Sequence, residues 1–287
     1  MVKLYILINR VLDASFSPFA GLDPLWPLAV WSVIMGVIAM VIYKYTSNQG
    51  GIKDAKEKIK GHFYEVWLFI DDAPVIVAAQ GRIMWNALRY FLYAVPPLAV
   101  MIVLFFPLFA NLETRYASRP VKPGDEVMVK VRLAGQFEGW RDAVKLEPPP
   151  GVSMVGYPVR FIRKTMESQG AREQSRDYEV DYKLRPETAG SHPLKFTVQG
   201  RQFTVPLVAG DHYGVRVPPY ESAGLGLALL YPPAVGVPAD SRVAAIQITY
   251  PEADFPWLGL NTWWVWPFLV ISMIAAFAVK GVLKVEF

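Results

Sequence analysis

The chain of 287 residues contains no cysteine. That excludes disulfides, thiolate nucleophiles and zinc sites built on thiolates. Histidine is nearly as scarce: the three that occur, His62, His192 and His212, fall in different segments, and none has a second histidine at the helical spacing that metal ligation uses. A glycine-rich phosphate loop, a nucleophile elbow and a kinase signature are missing too, and no serine has a triad-like context. Asp211 and His212 read as turn residues, and Asp71 and Asp72 as helix-capping carboxylates in preference to an acid and base. The sequence therefore offers no catalytic residue, no cofactor-binding residue and no metal ligand, and the expected protein is not an enzyme.

Charge is absent from three long stretches. Pro24 to Tyr43, Tyr90 to Asn111 and Phe255 to Val279 hold no Asp, Glu, Lys or Arg. Each reaches the roughly 20 residues that a helix needs to cross about 30 Å of hydrocarbon. Overall hydrophobic content is 53%, too little for a chain that is membrane throughout. The expected organisation is an external interfacial helix over residues 1–24, transmembrane helices over 25–45, 90–111 and 255–280, a cytoplasmic helical hairpin over 46–89, an external β domain over 112–254 and a cytoplasmic tail over 281–287.

Orientation follows from the basic residues. Lys44, Lys53, Lys56, Lys58, Lys60, Arg82 and Arg89 lie in or beside the connection between the first two spans, and Lys280 and Lys284 follow the third, so both segments are expected in the cytoplasm. The N-terminus and the β domain then lie outside a membrane expected to be the bacterial cytoplasmic (inner) membrane. The 29 Lys and Arg against 25 Asp and Glu are too dispersed an excess to point to nucleic acid. The apolar run of Met1 to Asn9 is too short for a signal peptide and reads as retained. Leu4, Ile8, Val11 and Leu12 fall near helical spacing, as in a helix lying in the interface, with Pro18 and Pro24 ending it.

The first span opens with Trp26 and Trp31 and closes with Tyr43, Lys44 and Tyr45, residues favoured at headgroup level. Gly36 permits close approach of another helix, and Ser32 is a candidate for a hydrogen bond across one. After the polar break Thr46 to Gly51, apolar residues at Ile52, Ala55, Ile59, Phe63, Val66 and Ile70 define one helical stripe, with Asp54 and Lys58 forming an i,i+4 pair opposite. A second helix is expected from near Ala73, continuous with span two, which Pro96, Pro97 and Pro107 should bend. Trp257, Trp263, Trp264 and Trp266 read as an interfacial belt better than as a stacking platform for a sugar or quinone.

Beyond Arg119 the period changes to two. Val127, Val129 and Val131, then Tyr178, Val180 and Tyr182, then Leu194, Phe196 and Val198 alternate with polar neighbours, and Pro- and Gly-rich turns separate them. An antiparallel sandwich of immunoglobulin-like type is expected. Residues 163–176 read as a polar loop, Pro218 to Pro238 as a loop returning over the membrane surface, and Val243 to Tyr250 as the last strand.

Arg82, Asn86 and Arg89 sit at helical spacing where the hairpin meets the membrane. Two readings stay open: side chains snorkelling toward phosphates, or a polar, positively charged entrance joined by Lys44, Asn48 and Gln49. The order of elements adds a resemblance. A span ending in Lys44-Tyr45-Thr46-Ser47-Asn48-Gln49, a helical pair beginning Ile52-Lys53-Asp54-Ala55-Lys56-Glu57-Lys58-Ile59-Lys60, and two further spans resemble the Oxa/YidC/Alb superfamily of membrane insertases. The likeness is to its reduced three-span branch, which includes archaeal YidC-like proteins and the third subunit of the ER membrane protein complex. It covers about residues 1–112 and, by topology alone, 255–287. That resemblance implies a groove open to cytoplasm and lipid and a hairpin that contacts arriving chains, with Ile52, Ile59, Phe63 and Val66 as the client-contact face. The implied partners are the lipid bilayer, nascent membrane-protein clients and other envelope proteins. The rival expectation is a structural subunit whose helices anchor a β domain that docks other proteins.

Overall fold

The computed structural model describes residues 2–19, 21–133, 139–164, 176–212, 214–222, 224–237, 242–283 and 285. It divides into two compact units: Met1–Pro24 with Pro107–Trp264, and Leu25–Phe106 with Val265–Phe287. The helices are α1 (Val2–Phe16), α2 (Leu25–Thr46), α3 (Gln49–Leu68), α4 (Ala73–Tyr116), α5 (Trp140–Ala143), α6 (Leu225–Leu230) and α7 (Val265–Leu283). The strands are β1 (Val127–Leu133), β2 (Val144–Glu147), β3 (Val152–Met154), β4 (Val159–Lys164), β5 (Arg176–Pro186), β6 (Gly190–Val198), β7 (Arg201–Ala209), β8 (Tyr220–Ser222), β9 (Val243–Ile248), β10 (Phe255–Trp257) and β11 (Leu260–Thr262).

Three helices, α2, α4 and α7, are long and apolar enough to cross a membrane. At 1.5 Å per residue, the 44 residues of α4 extend about 66 Å, so much of the helix lies beyond what hydrocarbon needs. It stays helical through Pro96, Pro97 and Pro107. Its start is set by Asp72, whose carboxylate accepts from the Val75 N–H at 3.3 Å, while the Asn48 side chain starts α3 by accepting from the Gly51 N–H at 2.9 Å. Within this helical unit α2 and α7 pack closely, and Gly36 shows how closely: a Cβ there would collide with the Ser272 carbonyl oxygen. Ser32 does not bridge helices as expected but donates to its own Leu28 carbonyl at 2.7 Å, the usual back-bond of a helical serine.

The third charge-free run is helical only from Val265. Its first part forms the β10–β11 hairpin, because Leu258 and Gly259 adopt positive φ and turn the chain. A continuous apolar run has no periodicity that separates strand from helix, so the expected helical start at Phe255 falls ten residues early.

In the β-bearing unit, two antiparallel sheets supply one hydrophobic core. The larger has the order β3-β5-β1-β9-β8, with β4 also on β5, and the smaller is β2-β6-β7. Val129, Val131, Val180 and Leu184 of the first sheet and Leu194, Phe196 and Leu207 of the second are fully buried in that core. The Tyr182 hydroxyl on β5 donates to the Val144 carbonyl on β2 at 2.9 Å, a direct link between sheets, and burial pushes its pKa up to about 12. At the free side of β7, the Val208 carbonyl accepts from the Val121 N–H at 3.2 Å, and its N–H donates to the Tyr250 hydroxyl at 3.1 Å. Two residues back on the same side stands Pro206, which has no N–H to offer.

Other sequence expectations shift. The segment after Pro218 is not a simple loop, for it contains β8 and α6. The strand expected over Val243 to Tyr250 ends at Ile248, and β10 and β11 follow it. Arg163, Lys164 and Arg176 lie in strands, and residues 165–175 of the expected loop fall outside the described residues, as do Pro238 of the returning loop and residues 284, 286 and 287 of the tail. Helix α1 buries Asn9 and Phe16 within its own unit and leaves Leu7 and Val11 exposed; the Leu4 and Ile8 side chains lie outside those described.

Candidate functional site

The hairpin is tied by ion pairs whose residue numbers run in opposite directions, the mark of antiparallel helices. Arg82 meets Glu65 at 3.2 Å, and Arg89 lies 3.9 Å from Asp54 and donates to the Tyr93 hydroxyl at 3.3 Å. The hydrogen bond from His62, reinforced by Arg82, holds the Glu65 carboxyl below the usual range. Gly51 sits against the Tyr93 ring, which places Asn48, Gly51, Tyr93 and Arg89 in one neighbourhood.

The six residues of the expected polar entrance therefore do not converge on a single site. Asn48 and Arg89 come near each other through Tyr93, whereas Arg82 belongs to the next ion pair along the stem. Asn86 is buried and donates to the Arg82 carbonyl of its own helix at 2.8 Å. Lys44 lies over the Tyr45 ring at 5.7 Å, and the Gln49 amide donates to the Ser47 hydroxyl. Both arginines thus have carboxylate partners within the hairpin, which accounts for them without a passing substrate.

The expected contact face divides as well. Ile52 is fully buried, Ile59 and Val66 are half-buried, and Phe63 is exposed. What the sequence reading missed lies beside Phe63: Tyr64, Trp67, Leu68 and Phe69 are all exposed, Trp67 at 75%. Helical spacing carried the signal, since at 100° per residue Lys53, Lys60, Tyr64 and Trp67 share one arc. The arc grades from cationic near the start of α3 to aromatic near its end.

A second constellation lies in the β-bearing unit, and no sequence pattern marked it. Asp13 of α1 accepts from Arg115 at 2.5 Å and from Arg216 at 2.7 Å. The Arg115 Nε donates to Asn111 at 3.0 Å, whose amide donates to Asn9 at 3.0 Å, and the guanidinium lies 4.2 Å from the Phe16 ring centre. Arg216 also donates to the carbonyls of Pro232 and Pro233. Nearby in sequence, the buried Glu221 carboxylate accepts from the N–H groups of Ala234, Val235 and Gly236 at 2.7, 3.2 and 2.6 Å. Burial nonetheless pushes its pKa up, against those three donors. The network is a fastening: every strong donor on Arg115 is spent on the protein itself.

Two cavities open in the same unit. One of about 600 Å³ is walled by Pro206, Val208 and Pro218 with Asp13, His212 and Arg216 at its polar end. The other, of about 710 Å³, is lined by carboxylates and aromatic rings. Of the four tryptophans expected to form a belt, Trp264 departs, being 1% exposed with its indole N–H donating to Glu113 at 2.9 Å, while Trp263 and Trp266 are exposed. Among the described residues no group of His, Asp and Glu is arranged to hold a metal ion. Set against family models, curated proteins and solved structures, the chain matches none.

Proposed function

We propose that the protein is a non-enzymatic factor for membrane-protein insertion or assembly, seated in the bacterial inner membrane. In this reading the α3–α4 hairpin receives apolar client segments in the cytoplasm, and the two sheets form an immunoglobulin-like sandwich outside. The observation that carries it is the exposed end of α3: Phe63, Tyr64, Trp67 and Leu68 face outward beyond an ion-paired stem. Contiguous apolar surface of this kind marks contact sites. Leaving it open fits a surface that binds and releases. The element order shared with the Oxa/YidC/Alb superfamily supports the same reading.

The test reconstitutes the purified chain in liposomes and follows integration of a short client. Integration above that of empty liposomes is expected, with crosslinks from a photoreactive residue at Trp67, and the combined Phe63→Ser, Trp67→Ser and Leu68→Ser variant should lose both while remaining folded. Equal integration with and without the protein defeats the proposal. A second reading, a structural subunit of an envelope complex, is favoured by the two cavities and the Asp13 fastening, all in the β-bearing unit. Recovery of a fixed stoichiometric complex on affinity purification would favour it.

A further inference from the structure

We infer that the larger cavity of the β-bearing unit is a binding site for an organic ammonium group. Three carboxylates line it, Glu113, Glu252 and Asp254, and no lysine, arginine or histidine does. Glu113 is held in place by the Trp264 indole, and Glu252 and Asp254 have no ion-pair partner among the described residues. The surplus negative charge thus faces the cavity and solvent.

The spread of those carboxylates decides the class of cation. They do not form a metal-type group, and a small, strongly hydrated metal ion needs its oxygen ligands to converge at 2.0–2.6 Å. A volume of about 710 Å³ suits something bulkier. Aromatic rings complete the lining: Tyr220 and Tyr231 pack with ring centres 4.7 Å apart, and Trp263 is more than half exposed at the wall. Aromatic faces attract diffuse, weakly hydrated cations, and rings combined with dispersed carboxylates are the chemistry by which alkylated ammonium is recognised. Carboxylates supply the field and rings supply the selectivity over sodium.

The cavity's place in the chain favours a lipid headgroup as the source of that group. Glu113 lies one turn before the end of α4, and Trp263 precedes α7 by two residues, so the site is built where two helices able to cross a membrane join the β-bearing unit. The quaternary ammonium of a choline-headed phospholipid carries the alkylated, weakly hydrated charge that rings select, whereas a lysine amine is a compact, strongly hydrated one. The inference stands apart from the client-receiving role of the hairpin, because its residues belong to neither α3 nor the first part of α4.

The test uses the full chain in a non-ionic detergent micelle, titrated with tetramethylammonium chloride and, separately, with sodium chloride at the same ionic strength. Saturation-transfer NMR of the tetramethylammonium methyl protons should show saturable binding that sodium does not displace, and that Trp263→Leu weakens by about tenfold or more. Glu252→Gln with Asp254→Asn should abolish it. Because Glu252 is exposed and has no ion-pair partner among the described residues, Glu252→Gln alone serves if the double variant fails to fold, with a smaller weakening expected. Bilayer discs of anionic lipid with and without choline-headed lipid then test the source: competition by the choline lipid supports a headgroup, and competition only by an added lysine-containing peptide overturns it. Non-saturable binding, displacement by sodium at equal ionic strength, or binding unchanged in Trp263→Leu and Glu252→Gln overturns the inference.

Discussion

Phe196 and Phe277 are the same residue under opposite rules. Phe196 is fully buried in the core of the β-bearing unit, stacked on Phe203, whereas Phe277 on α7 is 55% exposed with Ile274 and Met273 exposed on the same helix. Charged side chains follow the inverse pattern, with Lys145 and Lys195 outward on their strands and no charge at all in the middle of α2 or α7. The first unit is stabilised by removing apolar area from water. The second gains nothing that way where lipid surrounds it, and depends on how near two backbones come. Filling governs one unit and closeness governs the other.

That contrast is broken or sharpened by four substitutions, the largest effect first. Phe196→Ala should destabilise the β-bearing unit by about 3–5 kcal/mol through lost burial and a cavity, read as a drop in its thermal midpoint in detergent. A loss under about 1 kcal/mol would show that the core collapses easily and that filling is not what holds it. Asp13→Ala should cost about 3 kcal/mol, the low end for breaking a buried ion pair because Asp13 is partly exposed, and should leave two arginines without their carboxylate. Hydrogen exchange would then rise together in α1 and around Arg216; exchange confined to α1 would contradict a shared fastening. In the helical unit the damaging direction reverses. Gly36→Val should cost about 1–3 kcal/mol by forcing α2 and α7 apart, whereas Met273→Ala on the exposed face should cost little, so equal losses at both positions would erase the distinction.

The smallest effect is a pH slope from Glu221. Its folded-state pKa lies above the ordinary 4.5, so its contribution to stability is fully present below that value and is lost as pH rises through the raised one. Unfolding free energy of the β-bearing unit should therefore fall across that window, and Glu221→Gln should flatten the fall. Glu126 works with the opposite sign. Hydrogen bonds from Lys183 and Arg185 hold its pKa low, so its contribution is present above 4.5 and is lost as pH falls through the lowered value.

How much was legible in the chain depended on the distance over which a feature is written. The helices from Leu25 and Ala73 could be read because freedom from charge over a fixed length is a local property, and Asp72 announced its cap within three residues, whereas the Asn48 cap was read only as a polar break. The Val127, Tyr178 and Leu194 strands showed themselves by alternation. Phe255 to Thr262 misled because composition without periodicity fits either element, although Pro256 and Gly259 were signals of a turn. Arg82 and Arg89 were visible as charges, but their partners Glu65 and Asp54 became so only once α3 folded back on α4. The Asp13 fastening could not be read at all: its arginines stand about a hundred and two hundred positions away, beyond any spacing rule.

Consider finally the outer margin of β7. A strand from a neighbouring molecule that tried to lengthen the small sheet would find Val208 already engaged on both its groups and, one step further, a ring where an amide hydrogen should be. That margin is closed to a strand from another copy of the domain.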